Sequence, residues 1–191
     1  TLVPMTDHRV GTVVDTKDGD FFFQDYFVRL RCQPEFTGVH YKGMEDAAPA
    51  PQFEEALGSP SLTAIVICPS NPFVSIDPIL NVPGVSETLN KVGVPIVAVS
   101  PIIGGQAVKG PAAKMMAELD LPVSPLGIAQ HYGDLINGLV IDNEDVDLAE
   151  HITSSGIGVH VTNTLMKSAE DESNLAQETL AFATALSQKA P

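Results

Sequence analysis

Two stretches of this chain carry the residue types from which a phosphate site is built. Ser70, Asn71 and Ser75 lie in Pro69-Ser-Asn-Pro-Phe-Val-Ser75, directly after the apolar run Leu62-Thr63-Ala64-Ile65-Val66-Ile67-Cys68. Ser100, Gly104, Gly105, Lys109 and Gly110 follow a second such run, Val94-Pro95-Ile96-Val97-Ala98-Val99. Hydroxyl and amide groups, glycines that open the backbone and one lysine are the donors that an anionic oxygen needs. A lysine at a helix N-terminus is electrostatically misplaced unless an anion shares the site. Each stretch also has a plain structural alternative. The first is an Asx or Ser turn satisfying its own backbone, and the second an ordinary loop with a solvated lysine. Neither is a Walker motif or a Gly-x-Gly-x-x-Gly fingerprint.

Weaker candidates are Asp7, His8 and Arg9, which could clamp a phosphate or form a surface turn, and Asp142, Asn163 and Thr164 at strand ends. His131-Tyr132 ends a helix and reads as structural. The histidines show no metal-ligand spacing. No Gly-x-Ser-x-Gly elbow supports serine hydrolysis.

The elements that must position these residues alternate from residue 52 onward. Strands are expected at 62–68, 94–99, 138–142 and 157–162. Helices are expected at 51–58, 75–80, from Ser86 as a cap to Lys91, and at 111–119, 125–133, 143–155 and 171–188. Alternation of this kind predicts an α/β fold with a mostly parallel sheet, and ligands bind such sheets at the carboxyl ends of their strands. Before it, residues 10–15 and 20–32 flank Thr16-Lys17-Asp18-Gly19, a hairpin signal that predicts a β-hairpin insertion over 10–32. Residues 33–51 read as a loop-rich connection with a short strand at Val39-His40-Tyr41. The whole of 1–191 reads as one α/β domain.

With 191 residues and 44% hydrophobic content, the chain can bury a sizeable core. A net charge of −14 opposes nucleic acid and anionic membranes. An anionic ligand must therefore meet locally reversed charge, which makes the few basic residues near turns, Arg9, Lys109 and Lys114, informative. No run of about 18 apolar residues indicates a membrane span. No leader opens the sequence, and Cys32 and Cys68 form no disulfide framework, so a cytoplasmic setting is expected. The opening Thr1-Leu2-Val3-Pro4-Met5-Thr6-Asp7 reads as the end of a strand inside a domain, so the chain is expected to be partial.

The ordered set Leu2-Val-Pro-Met-Thr-Asp7, Phe23-Gln-Asp-Tyr-Phe-Val28, Pro69-Ser-Asn-Pro-Phe-Val-Ser-Ile-Asp-Pro-Ile-Leu80, Val99-Ser-Pro-Ile-Ile-Gly-Gly105, Lys109-Gly-Pro-Ala-Ala-Lys114 and Thr162-Asn-Thr-Leu-Met166 resembles the C-terminal two-thirds of the 2-phospho-L-lactate transferase family. The resemblance implies a Rossmann-like three-layer core, a homodimer, a requirement for Mg2+ and a role in making the deazaflavin coenzyme F-420. It implies transfer of a phospholactyl or phosphoenolpyruvyl group from a guanosine diphosphate-linked donor to the deazaflavin Fo, releasing GMP. Motif and position together assign Ser70, Asn71, Ser75, Ser100, Gly104, Gly105, Lys109 and Gly110 to the donor side, with Asp7, Arg9 and Thr164 as secondary candidates. The family's N-terminal strands, with their acidic metal ligands and deazaflavin contacts, have no counterpart here, so no metal ligand is assigned. The alternatives are an inactive fragment and a sugar-nucleotide-binding regulator of the gluconeogenesis-factor type. Those regulators carry Gly-Pro-Gly-Ser-Leu-Tyr-Thr-Ser where this chain has Pro-Ser-Asn-Pro-Phe-Val-Ser-Ile.

Overall fold

The computed structural model describes residues 1–188. Strands β1 (Gly11–Thr16), β2 (Gly19–Phe22) and β3 (Phe36–Lys42) form an antiparallel sheet in the order β2-β1-β3. Thr16 pairs with Gly19 across the two-residue turn, and Gly19 takes φ 117°, which a side chain would resist. Helix α1 (Pro51–Leu57) then leads into β4 (Ile65–Ile67). A π-helical turn at Pro72–Ile76 runs into α2 (Asp77–Leu80), followed by α3 (Val85–Leu89), β5 (Ile96–Val99) and a small hairpin of β6 (Ile102–Ile103) and β7 (Gln106–Ala107). Helices α4 (Ala112–Glu118) and α5 (Pro125–Tyr132) precede β8 (Gly138–Asp142). A 3-10 turn, α6 (Ala149–Thr153), β9 (Gly158–Thr162) and α7 (Ala169–Ser187) complete the order.

The second sheet is wholly parallel, in the order β4-β5-β8-β9. Every residue of β5 and β8 is buried, as a central strand covered on both faces requires. Alternation sorts their side chains. Val97, Val99 and Val140 face Leu175 and Ala183 of α7. Ile96, Ala98, Leu139 and Ile141 join Met115, Met116, Ile128 and Ile152 in the main core on the other face. The result is the expected three-layer α/β fold. Gly138 lets α7 approach: a Cβ there would lie 2.6 Å from a ring carbon of Phe182.

The sheet of β1 to β3 is fastened to this core by a polar clasp. Tyr26, fully buried, donates its hydroxyl to the Pro34 carbonyl. Lys114 donates to Tyr26, to the Pro34 carbonyl and to Glu118. Glu118 in turn accepts the Phe36 N–H at 2.9 Å, and the Tyr41 hydroxyl donates to the Phe73 carbonyl at 2.6 Å.

Several sequence expectations are corrected. The second arm of the hairpin does not reach residue 32: β2 stops at Phe22 and a π-helical turn follows at Asp25–Arg29. The aromatic composition favours a strand, but inserting Tyr26 into the clasp requires the chain to coil. The short strand expected at Val39-His40-Tyr41 is present but extends over residues 36–42 of the loop-rich stretch, the longest strand of the antiparallel sheet, because β1 supplies a ladder from Gly11 to Thr16. Ser86 does not cap α3. Gly84 precedes that helix, and the Ser86 hydroxyl donates to the Leu80 carbonyl. Residues 1–10 form no strand and pair with none among the described residues. Thr6 instead donates to the Ala48 carbonyl, and Ala50 donates to that of Met5.

Candidate functional site

The loops leaving β4, β5 and β9 open on one cleft of about 460 Å³ at the carboxyl end of the parallel sheet. That volume lies within the range of small-molecule sites. Ser70, Asn71 and Ser75 come from the first loop, Ser100, Lys109 and Gly110 from the second, and Thr164 from the third. Lys109 is the one basic residue on the lining and Glu172 the one acidic residue. Lys109 is exposed and forms none of the ion pairs among the described residues. In a chain of net charge −14 it is the one cationic side chain that an anionic ligand would meet on this lining.

Local hydrogen bonding explains how this polar wall is held. Asn71 caps the π turn: its Oδ1 accepts the N–H groups of Phe73 at 3.0 Å and Val74 at 3.3 Å, while its Nδ2 reaches Met115 Sδ at 3.4 Å. The Asx turn weighed as a purely structural alternative is therefore present, and it is also what shapes the cleft. Ser75 caps nothing. It sits inside the turn, exposed, with its N–H on the Asn71 carbonyl. Ser100 is buried, and its hydroxyl both donates to the Ile102 carbonyl and accepts the Ile102 N–H, so it sets the exit angle of the second loop. Beneath the turn, His131 Nε2 lies 2.8 Å from Asp77 Oδ1, and the His131 ring meets that of Phe73 edge-on. His131 is thus tied to Asp77 and Phe73 and does not border the cleft.

Asp142 and Asp145 are committed to loop ends. Burial pushes the Asp142 carboxyl up, but the N–H groups of Glu144 and Thr164 and the Thr164 hydroxyl outweigh it and hold the group below the usual carboxylate range. Burial raises Asp145, the Gly104 N–H partly offsets that, and the neighbouring Asp142 adds to the rise.

Four candidates fall off the lining. Gly104 and Gly105 form the two-residue turn between β6 and β7, with φ 55° and 76°. Their glycine character answers that turn: a Cβ on Gly104 would lie 2.7 Å from Glu144 Oε2. Asp7 and Arg9 are exposed in the turn after Thr6 and do not border the cleft. Lys114, informative by sequence for its charge, is spent in the clasp with Glu118. The cleft also has a wall that sequence reasoning missed: Phe23 and Phe27, with Val74, Ile103, Val108 and Met166. Their i, i+4 spacing was the available signal, hidden by reading the run as a strand. A separate cleft of about 490 Å³ lies at the other end of the sheet, around Pro95, Ile96 and Asn137, away from the strand ends that carry the polar loops.

No group of three or more His, Cys, Asp or Glu among the described residues could hold a metal ion. With Glu172 as its one carboxylate, the cleft does not by itself make a magnesium site.

A parallel sheet covered on both faces, with polar loops gathered around a cleft at its carboxyl end, defines an α/β domain of Rossmann-like type. The family model described as "2-phospho-L-lactate transferase CofD" matches residues 1–178, and the chain belongs to that family. It is 42% identical over 177 residues to a 2-phospho-L-lactate transferase of Methanococcoides burtonii, covering 93% of this chain and 56% of that protein. It is 39% identical over 189 residues to the 2-phospho-L-lactate transferase of Methanocaldococcus jannaschii, covering 97% and 58%. A phosphoenolpyruvate transferase of Streptomyces griseus is 37% identical over 187 residues, covering 95% and 58%. The chain thus spans a little over half the length of these relatives. Among solved structures, a Bacillus halodurans protein of the UPF0052 family shares the fold with a TM-score of 0.62 at 17% identity, covering 93% of this chain and 61% of that one. No helix of the described residues is long and apolar enough to cross a membrane.

Proposed function

We propose that this chain supplies the donor side of a transferase site, holding the diphosphate of a guanosine diphosphate-linked phospholactate or phosphoenolpyruvate. The observation that carries the reading is the convergence of three strand-end loops on one cleft whose single basic side chain, Lys109, is unpaired among the described residues. Relatives named for each of the two transfers support it. In the proposed reaction, the terminal ribityl hydroxyl of Fo attacks the phosphorus that carries the three-carbon group. The bond from that phosphorus to the bridging oxygen breaks, GMP leaves with the electron pair, and the hydroxyl proton is lost to solvent. Such transfer needs positioning and charge neutralisation more than a covalent intermediate. Lys109 meets the diphosphate charge, and the Asn71-capped turn and the Ser100 bend fix the walls. Family membership implies Mg2+, and the residues of this cleft do not by themselves supply a ligand set for it. Homodimerisation and a cytoplasmic setting belong to the same proposal.

Titration of the chain with GDP and with a UDP-sugar tests it. Preferential GDP binding is expected. Preference for the UDP-sugar would instead favour a sugar-nucleotide-binding regulator, and binding of neither would leave an inactive fragment.

A further inference from the structure

We infer that Phe23 and Phe27 form a stacking wall for the fused heteroaromatic ring of a substrate, in the same cleft as the proposed phosphate-binding residues. This rests on the donor-side reading above and adds the ring chemistry to it. The two rings stack on each other with centroids 5.5 Å apart and planes inclined by 17°, and both border the cleft that holds Ser70, Lys109 and Gly110. Phe27 remains 42% exposed, which a packing role does not require. The pair's anchor is elsewhere: Tyr26, between them in sequence, is fully buried in the clasp with Lys114 and Pro34.

A second observation points to the same place. π-helical turns are rare, under about 1% of residues, and concentrate at functional sites. The described residues hold two, Asp25–Arg29 and Pro72–Ile76, and both contribute residues to this one cleft. One turn carries Phe27 to the cleft, and the other carries Val74 and Ser75 to it. A cleft lined by an aromatic pair, several hydroxyls and a lysine suits a ligand that is flat at one end and anionic at the other. Guanine and a deazaflavin share the flat chemistry.

The test compares wild type, Phe27→Leu and Phe27→Tyr by titration with pyrophosphate, GDP and a deazariboflavin. Phe27→Leu should weaken a ring-bearing ligand about tenfold while pyrophosphate binding is unchanged, and Phe27→Tyr should restore it. Loss confined to GDP assigns the wall to guanine, and loss confined to the deazariboflavin assigns it to the acceptor ring. Unchanged binding of both ring ligands, or equal loss of pyrophosphate, overturns the stacking wall and leaves the donor reading standing. A wild-type chain that binds none of the three overturns both.

Discussion

Thr164 donates both its backbone N–H and its hydroxyl to one oxygen of Asp142, at 2.8 and 3.1 Å. The other oxygen accepts the Glu144 N–H at 3.0 Å. One buried carboxylate therefore ties the end of β9 to the end of β8 and holds Thr164 on the cleft.

Asp142→Asn should lower stability by about 1–2 kcal/mol at neutral pH, because bonds to a charged acceptor are replaced by bonds to a neutral one. The Asp142 carboxyl is held below its ordinary value in the folded state. Its contribution is therefore full above about pH 4, the unfolded value, and is lost as pH falls through the lower folded value. Asp145 is shifted upward and acts in the opposite sense, so the wild-type curve alone does not isolate Asp142. Melting temperatures of the two proteins should converge on acidification. A gap that stays constant to pH 3 would contradict the assignment.

Asn71 shapes the first loop through two accepted N–H groups. Asn71→Ala should cost about 1 kcal/mol of stability and also weaken GDP binding, whereas Asn71→Asp keeps the cap acceptor and should retain most of the stability. Denaturant midpoints of the three proteins check this. Equal midpoints would show that the turn does not depend on the cap.

Lys109 is exposed and unpaired among the described residues, so Lys109→Ala should leave the melting temperature unchanged. GDP affinity should fall about tenfold or more, and the remaining affinity should depend less on salt. Wild-type affinity in this variant would remove Lys109 from the donor site.

In the clasp, burial lowers the Lys114 pKa, but Glu118 and Tyr26 more than compensate and raise it. The ammonium therefore stabilises the fold fully below its unfolded value near 10.4, and that contribution fades as pH rises through the folded value. With Lys114 about one-third exposed, Lys114→Met should cost only about 1 kcal/mol near neutrality. Adding Glu118→Gln should cost less than the sum of the two single changes, measured by a denaturant double-mutant cycle. Strict additivity would mean that the pair does not couple.

Gly127 sits in α5, where a Cβ would lie 2.0 Å from the Pro122 carbonyl oxygen and 2.7 Å from Met116 Cε. A backbone atom cannot swing aside, so Gly127→Ala should destabilise by about 1–3 kcal/mol despite the better helix propensity of alanine. A raised melting temperature would show that the Pro122 segment yields.

The main path of the chain was legible because local chemistry and burial agree there. The β-branched runs ending at Cys68 and Val99 became β4 and β5, and Pro125 and Ser168 open the last long helices where proline and serine should. Legibility failed where a distant partner decided the conformation. Residues 23–32 have a strand's composition, yet Tyr26 is drawn to Pro34 and Lys114 and the chain coils. Residues 36–42 show only a short strand signal at Val39-His40-Tyr41, yet β1 gives the whole stretch a ladder.

Sequence alone thus determined the α/β class, the polar strand ends and the family resemblance, all of which rest on short-range pattern and motif order. Only tertiary structure decided which candidates share a site. Ser70, Lys109 and Thr164 meet because a parallel sheet brings all its carboxyl ends to one side. Gly104 and Gly105 are kept out because a tight hairpin turn uses them, and Phe23 and Phe27 are brought in by a clasp more than eighty residues distant in sequence, at Lys114.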